Sequence, residues 1–126
     1  MPLVRISLLK GRNEAHKHAM CEAAYEALRE AFGIPENDKF VVLHEHDRAG
    51  FVYAASYLDV AHDDDLVIVQ ITANEGRTLD QKKALYKAIV GRFEKAAGVK
   101  PNNVLINLVE VKKENWSFGD GVAQYA

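Results

Sequence analysis

The sequence predicts an α/β (α+β) chain built as two tandem β-α-β units, with four strands in one mixed sheet and two helices on one of its faces. Three observations carry this prediction. The chain matches itself at a fixed offset of 65 residues. Each copy passes from an apolar run with strand character, through a stretch with helical periodicity, to a second apolar run. The whole is 126 residues long, the length of one domain spanning residues 1–126, with the internal repeat covering 2–46 and 67–111.

The offset holds without a gap. Gly11-Arg12 recurs as Gly76-Arg77, Lys17 as Lys82, Ala19 as Ala84, Gly33 as Gly98, Asn37 as Asn102, Leu43 as Leu108 and Glu45 as Glu110. The first copy opens with PLVRISLL, where Val4, Ile6 and Leu8 alternate with Leu3, Arg5 and Ser7 at the spacing of a strand. Its counterpart, LVIVQITA at 66–73, is more uniformly apolar and is expected nearer the centre of the sheet.

A helix start follows each Gly-Arg. Asn13 is a good N-cap, and Thr78-Leu79-Asp80-Gln81 has the form of a capping box, in which Thr and Gln side chains satisfy two orphan amides reciprocally. Met20, Ala24, Ala27, Leu28 and Ala31 in one copy, and Leu85, Ile89, Phe93 and Ala96 in the other, recur every three to four residues and give each helix one apolar face. Gly33 and Gly98 supply left-handed C-caps, so both helices should run about 18 residues. Strands are then expected at FVVLHEH, 40–46, and VLINLVEV, 104–111. A strand, a long helix and a strand call for a right-handed crossover and parallel pairing. With both helices on one face, the opposite face stays half-apolar and should seek a partner subunit.

Residues 47–65 join the copies. Gly50 and the polar run after Val60 mark turns, and Phe51, Val52, Tyr53, Tyr57 and Leu58 predict a short extra strand or a packed loop.

Composition narrows the function. Hydrophobic residues make up 48% and charged residues 27%, and the formal charge is -2 with no basic block, so neither nucleic acid nor an anionic membrane is an expected partner. The single cysteine, Cys21, fits a reducing compartment, and with no signal-like or long apolar segment in the sequence a cytoplasmic location is expected.

The start of the chain raises a chemical possibility. Proline donates no backbone hydrogen bond and suits the first residue of a strand. With Met1 removed, Pro2 would be a free secondary amine held rigidly at a strand end. Such an amine titrates near neutrality, and burial or a nearby cation favours its neutral form, which can accept a proton.

The MP start with Gly-Arg before the first helix, AFGIPEND at 31–38, GRTLDQKKALY at 76–86 and ENWSFGDG at 114–121 together resemble the tautomerase superfamily, and most closely its long-chain members, which include malonate semialdehyde decarboxylase. The likeness covers essentially the whole chain. It implies the tautomerase fold, a homotrimer of duplicated chains, no cofactor, and a processed N-terminal proline at the floor of the pocket. Pro2 resembles the family's catalytic amine, and one site per chain follows, because the corresponding position in the second copy is the internal Val67.

The resemblance assigns further roles. Arg77 matches an arginine that holds a substrate carboxylate or carbonyl oxygen, where a planar fork can also stabilise developing enolate charge. Arg12, its repeat mate, matches a substrate-binding arginine of 4-oxalocrotonate tautomerase, in which short chains assemble the site across subunits. Asp38 resembles an acidic residue that the decarboxylase branch uses to orient water. Trp116 and Phe118 match an aromatic wall that excludes water. One departure stands out: the decarboxylase branch carries a second arginine where this chain has Glu75, and a carboxylate there would repel an acidic substrate.

Other constellations carry less. His44 and His46 share a strand face, but two histidines at that spacing do not make a metal site, and none is expected. Cys21 has no electropositive motif around it, and Ser117 has no base beside it in sequence. The expected function is a cofactor-independent keto-enol tautomerase of small 2-oxo acids or related carbonyls, with Pro2, Arg77 and Asp38 catalytic and Arg12, Trp116 and Phe118 binding substrate. The alternatives are a decarboxylase or hydratase of a malonate semialdehyde-like acid, and a non-catalytic trimeric binding protein of the kind the migration inhibitory factor branch represents.

Overall fold

The computed structural model describes residues 1–126. Its order is β1 (Leu3–Leu9), α1 (Glu14–Phe32), β2 (Val41–His46), β3 (Ser56–Tyr57), β4 (Val60–Ala61), β5 (Val67–Asn74), α2 (Leu79–Ala97) and β6 (Val104–Val111), with single 3-10 turns at Arg48–Gly50, Pro101–Asn103 and Lys113–Asn115. The main sheet runs β2-β1-β5-β6. β1 and β2 pair parallel, as do β5 and β6, while β1 and β5 meet antiparallel at the centre with Arg5 opposite Gln70. The predicted mixed four-stranded sheet is the one observed, but β1 and β5 are both inner strands, so the more apolar run of β5 does not set it nearer the centre than β1.

The offset of the sequence is the offset of the structure. Helices α1 and α2 are each 19 residues long, begin 65 residues apart and end 65 residues apart. Asn13 caps one by accepting from the His16 amide, and Thr78 caps the other through a complete capping box with Gln81. Gly33 and Gly98 close them in the left-handed conformation. Lys17 binds Glu45 at 3.0 Å, and Lys82 binds Glu110 at 2.9 Å, each tying a helix to the strand that follows it. The turn from strand to helix passes through Gly11 at φ 129° and Gly76 at φ 118°, backbone that residues with a Cβ rarely adopt. These glycines aim the next residues, Arg12 and Arg77, off the two ends of the sheet.

One layer of core lies between helices and sheet. Val4, Ile6 and Leu8 of β1, with Val67, Val69 and Ile71 of β5, meet Met20, Ala24 and Leu28 of α1 and Leu85, Ile89 and Phe93 of α2, all fully or almost fully buried. The other sheet face carries Arg5 on His44 and Gln70 on Asn107, both at 3.1 Å, with Val42, Leu105 and Val109 exposed beside them.

The connection at 47–65 combines the two expected forms, a packed loop at Phe51 and a short strand that includes Tyr57. Phe51 is a buried anchor and Val52 is 90% exposed, while the strand pairing falls on the small hairpin of β3 and β4. Its turn places Leu58 and Asp59 at φ 49° and 62°.

Candidate active site

The start of the chain, the end of α1, the start of α2 and the segment after β6 converge at one end of the sheet. Pro2 is buried where β1 begins. Beside it the Met1 amine lies 4.0 Å from Asp38 Oδ2. Asp38 sits on the turn that follows Gly33: its amide donates to the Pro35 carbonyl at 3.1 Å, and the Tyr25 hydroxyl of α1 donates to the Glu36 carbonyl and pins the loop. The chain then enters the sheet through a bond from the Val4 amide to the Phe40 carbonyl at 3.0 Å.

Arg77 reaches the same end from the other repeat. Its Nη1 donates to the Asn74 carbonyl at 3.1 Å, and its guanidinium lies 4.7 Å from the centroid of the Phe32 ring. The side chain of Asn74 accepts from Trp116 Nε1 at 2.8 Å. One buried residue at the end of β5 therefore positions both the arginine and the indole. Trp116 stacks on Phe118 at 5.7 Å and 14°, and Phe118 meets the edge of Tyr125 at 5.0 Å. The tail is folded back by the Gln124 side chain, which accepts from the Phe118 amide and donates to the Gly119 carbonyl.

A cavity of about 320 Å³ at this end is lined by Met1, Pro35, Asp38, Phe40, Phe118 and Tyr125, and Arg77 lines an adjoining cleft that shares Tyr125 with it. A recess of about 210 Å³ continues behind it against Leu3, Trp116 and Ser117. A groove of similar size between the helices, lined by Ala19, Glu22, Ala23, Glu26, Arg92 and Lys95, holds neither the chain start nor an orphaned buried polar atom.

The electrostatics favour proton transfer. Burial lowers the proton affinity of the terminal amine; Asp38 opposes this, and Arg77 and Lys113 add to it. Burial also raises the Asp38 pKa, against the pull of the amine and Arg77. Asp38 Oδ1 is buried without a hydrogen-bond partner. The amine so shifted is that of Met1, and beside it the Asp38 carboxyl holds its proton more tightly than usual.

Of the expected site residues, the fold brings together Pro2, Asp38, Arg77, Trp116 and Phe118. Arg12 is not among them. It lies beyond the far end of β1, where Nη2 donates to the Asp65 carbonyl at 2.9 Å and stands 3.8 Å from the Asp65 carboxylate. The antiparallel register puts Ser7 opposite Ile68 at that end, and Leu3 opposite Thr72 at the Pro2 end. Within one chain, the two arginines of the repeat face opposite ways.

Two tautomerase enzyme family models match the chain, over residues 2–60 and 38–119. The chain belongs to the tautomerase family. Among curated relatives it is 36% identical to the probable tautomerase YusQ of Bacillus subtilis (strain 168), over 98% of both chains. Among solved structures it matches a malonate semialdehyde decarboxylase at TM-score 0.90 and 30% identity, covering 98% of this chain and 95% of that one; that structure was described as a basis for decarboxylase and hydratase activities. A fused 4-OT crystallised as a symmetric trimer shares the fold, with TM-score 0.78 and 23% identity over 95% of this chain and 94% of that one. The chain is thus an enzyme of the tautomerase family, and none of its helices is long and apolar enough to cross a membrane.

Sequence patterns missed three residues of this tautomerase's candidate site. Asn74 lies just past the apolar run expected as a strand at 66–73, and its burial at the end of β5 exposes its role. Lys113 and Tyr125 lie in segments without periodicity. The usable signal was Tyr125, in a segment already rich in aromatic residues.

Proposed function

We propose that this enzyme is a cofactor-independent keto-enol tautomerase of small 2-oxo acids or related carbonyl compounds, and that the nitrogen of Pro2, freed by removal of Met1, is its general acid and base. The observation that carries this reading is the convergence of the chain start with Asp38 at one aromatic-walled cavity, with Arg77 in the cleft that adjoins it at Tyr125. Loss of Met1 moves the terminal nitrogen one residue inward, toward the buried end of β1, among the same charges.

In this reading the neutral Pro2 nitrogen takes the enol hydroxyl proton and returns a proton to the neighbouring carbon. No net proton is consumed. Arg77, held in place by the Asn74 carbonyl and the Phe32 ring, donates to the substrate carboxylate and stabilises oxyanion charge as it develops. Trp116 and Phe118 keep water out and so favour the uncharged amine. Asp38 moderates the amine's proton affinity. The fused 4-OT trimer and the half-apolar, helix-free sheet face support a homotrimer, and the single cysteine supports a cytoplasmic enzyme.

A second reading, decarboxylation or hydration of a malonate semialdehyde-like acid, draws on Asp38. Its orphaned oxygen beside the amine is a place to orient water. Glu75, exposed near Arg77, weighs against it, because it stands where the decarboxylase branch is expected to carry a second arginine.

Replacement of Pro2 by Ala tests the principal reading. Ketonisation of phenylenolpyruvate by the intact enzyme, with removal of Met1 confirmed by intact mass, should exceed that of Pro2→Ala by roughly 100-fold or more in kcat/KM, the contribution of a positioned acid–base group. Equal rates, or full activity with Met1 retained, refute it. Carbon dioxide release from malonate semialdehyde, measured alongside, decides between the two readings.

A further inference from the structure

The two histidines that share a face of β2 have no part in the proposed reaction, and they stand on the sheet face that carries no helix. Strand register fixes their company. Arg5 lies opposite Gln70, Gln70 opposite Asn107, and His44 opposite Ser7, two residues on from Arg5, so all of these side chains share that face. The only carboxylates of the four sheet strands, Glu45 and Glu110, point the other way, opposite Leu8 and Ala73, and are held by Lys17 and Lys82.

This face can be covered without stranding its long polar side chains. Gln70 donates to Asn107, and Arg5 donates to His44 Nε2, both at 3.1 Å, while Val42, Leu105 and Val109 lie exposed around them. The occupant that fits is a further copy of the chain, in the homotrimer of the proposed reading, on which the present inference rests.

The bond between Arg5 and His44 survives in one protonation state only. A guanidinium donates and never accepts, so Nε2 must be the acceptor, which requires a neutral imidazole with its proton on Nδ1. A second proton turns that acceptor into a donor and sets two cations side by side. On an open face Arg5 could turn away into water; beneath another chain it would leave a charge buried without a partner. The strands offer no carboxylate to answer it, and a second copy brings the same strands. His46 is the other titratable group of the face; its ring lies on Phe51 with Nε2 buried and unpartnered, and it supplies no negative charge. In the segment after β2, Asp47 is held by Lys10, and Arg48 holds Asp64.

We propose that Arg5 and His44 form a pH-sensitive latch on the assembly face: with His44 neutral the chains associate, and with His44 protonated they separate. Association excludes a proton, so it weakens as pH falls. Histidine is the side chain whose charge ordinarily changes between about pH 5 and 8, so the latch responds to mild acid.

Sedimentation of the full-length enzyme at about pH 8 and about pH 5.5, at one ionic strength, reads the association state. The wild type should be assembled at the higher pH, and its apparent dissociation constant should rise roughly tenfold or more at the lower, the effect of like charges brought together in an interface. His44→Gln keeps an oxygen acceptor for Arg5 and gains no charge, so it should stay assembled at both. His44→Lys carries the charge at both and should already be dissociated at the higher pH. Far-ultraviolet circular dichroism verifies that each sample is folded. A wild type that is monomeric at the higher pH overturns the homotrimer and the latch with it. Equal assembly of the wild type at both, acid dissociation that persists in His44→Gln, or His44→Lys assembled like the wild type overturns the latch alone.

Discussion

At the end of the sheet where β1 begins stand Pro2, Asp38, Arg77, Trp116 and Phe118. At the end where β5 begins stand their counterparts at the 65-residue offset: Val67, Asn103, Arg12, Phe51 and Tyr53. The second set is satisfied by the chain itself. Arg12 holds Asp65, the Asn103 amide donates to Asp63 Oδ1 at 2.8 Å while its oxygen accepts from the Asp63 amide at 3.2 Å, and Tyr53 donates to Asp64 at 2.6 Å. Arg48 closes on Asp64 with two bonds of 3.0 and 2.6 Å. At the first end Arg77 bonds only to a backbone carbonyl, and one oxygen of Asp38 has no partner.

The difference lies in what surrounds the start of each strand. At β5 the acidic run Asp63-Asp64-Asp65 takes up Asn103, Arg48 and Arg12 in turn. At β1 no acidic run of the chain meets Arg77. One scaffold has therefore been completed twice: the closed end converts its polar groups into structure, and the open end leaves them for a ligand. Asp65 on Arg12 is the chain's own version of a carboxylate on an arginine.

The comparison breaks most sharply at the two arginines. Arg77→Ala should lower kcat/KM for phenylenolpyruvate roughly 100-fold or more, the cost of deleting a donor aimed at developing oxyanion charge. Arg12→Ala should leave activity nearly unchanged and cost about 1 kcal/mol or less in unfolding free energy, since its partner Asp65 is 76% exposed and such pairs are well screened. Steady-state rates and urea unfolding of both variants measure this. Equal losses of activity would mean that the two ends are not distinct.

Asn103→Asp makes the closed end resemble the open one. Asn103 is fully buried, and the substitution replaces an amide that donates to Asp63 by a carboxylate facing it. It should destabilise the fold by about 2–3 kcal/mol near neutral pH, the scale for a buried polar group that has lost its partner, and less in acid, where a carboxyl can be protonated. The midpoint of chemical unfolding followed across pH reads the effect. At the open end a carboxylate is already accommodated at the matching position, which is the asymmetry this variant sharpens.

Much of this was legible from the chain alone because the repeat states it twice. Both helices follow from their caps and glycines, and their 19-residue lengths differ from expectation by a single residue. Asp38, Arg77, Trp116 and Phe118 lie at the Pro2 end of the sheet. What was hidden depended on distant partners. Arg12 and Arg77 occupy the same local motif, and nothing near either says that Asp65, 53 residues from Arg12, is its partner. The β3–β4 hairpin was obscured because its turn uses Leu58 and Asp59 at positive φ rather than glycine. Lys113 and Tyr125 stand in irregular backbone, where no periodicity reports which way a side chain faces.

The smallest expected effect lies within the open end, at Asp38. Its negative charge raises the proton affinity of the amine, against burial and the two cations. Asp38→Asn removes that opposition, so the amine should lose its proton at lower pH still, and the acid limb of kcat/KM for ketonisation should move to lower pH with little change at the plateau. Hydration chemistry, which would need a charged group to orient water, should fall instead. Stability follows from the other member of the pair. Because burial raises the folded-state pKa of Asp38 above 3.8, its protonated form contributes stability that is fully present below that value and is lost as pH rises through the folded pKa. Asparagine carries no such loss, so the variant should gain on wild type as pH rises from 3 to 7. A pH series of rates and unfolding midpoints checks both signs, and an acid limb moving to higher pH would show that Asp38 does not act on the amine.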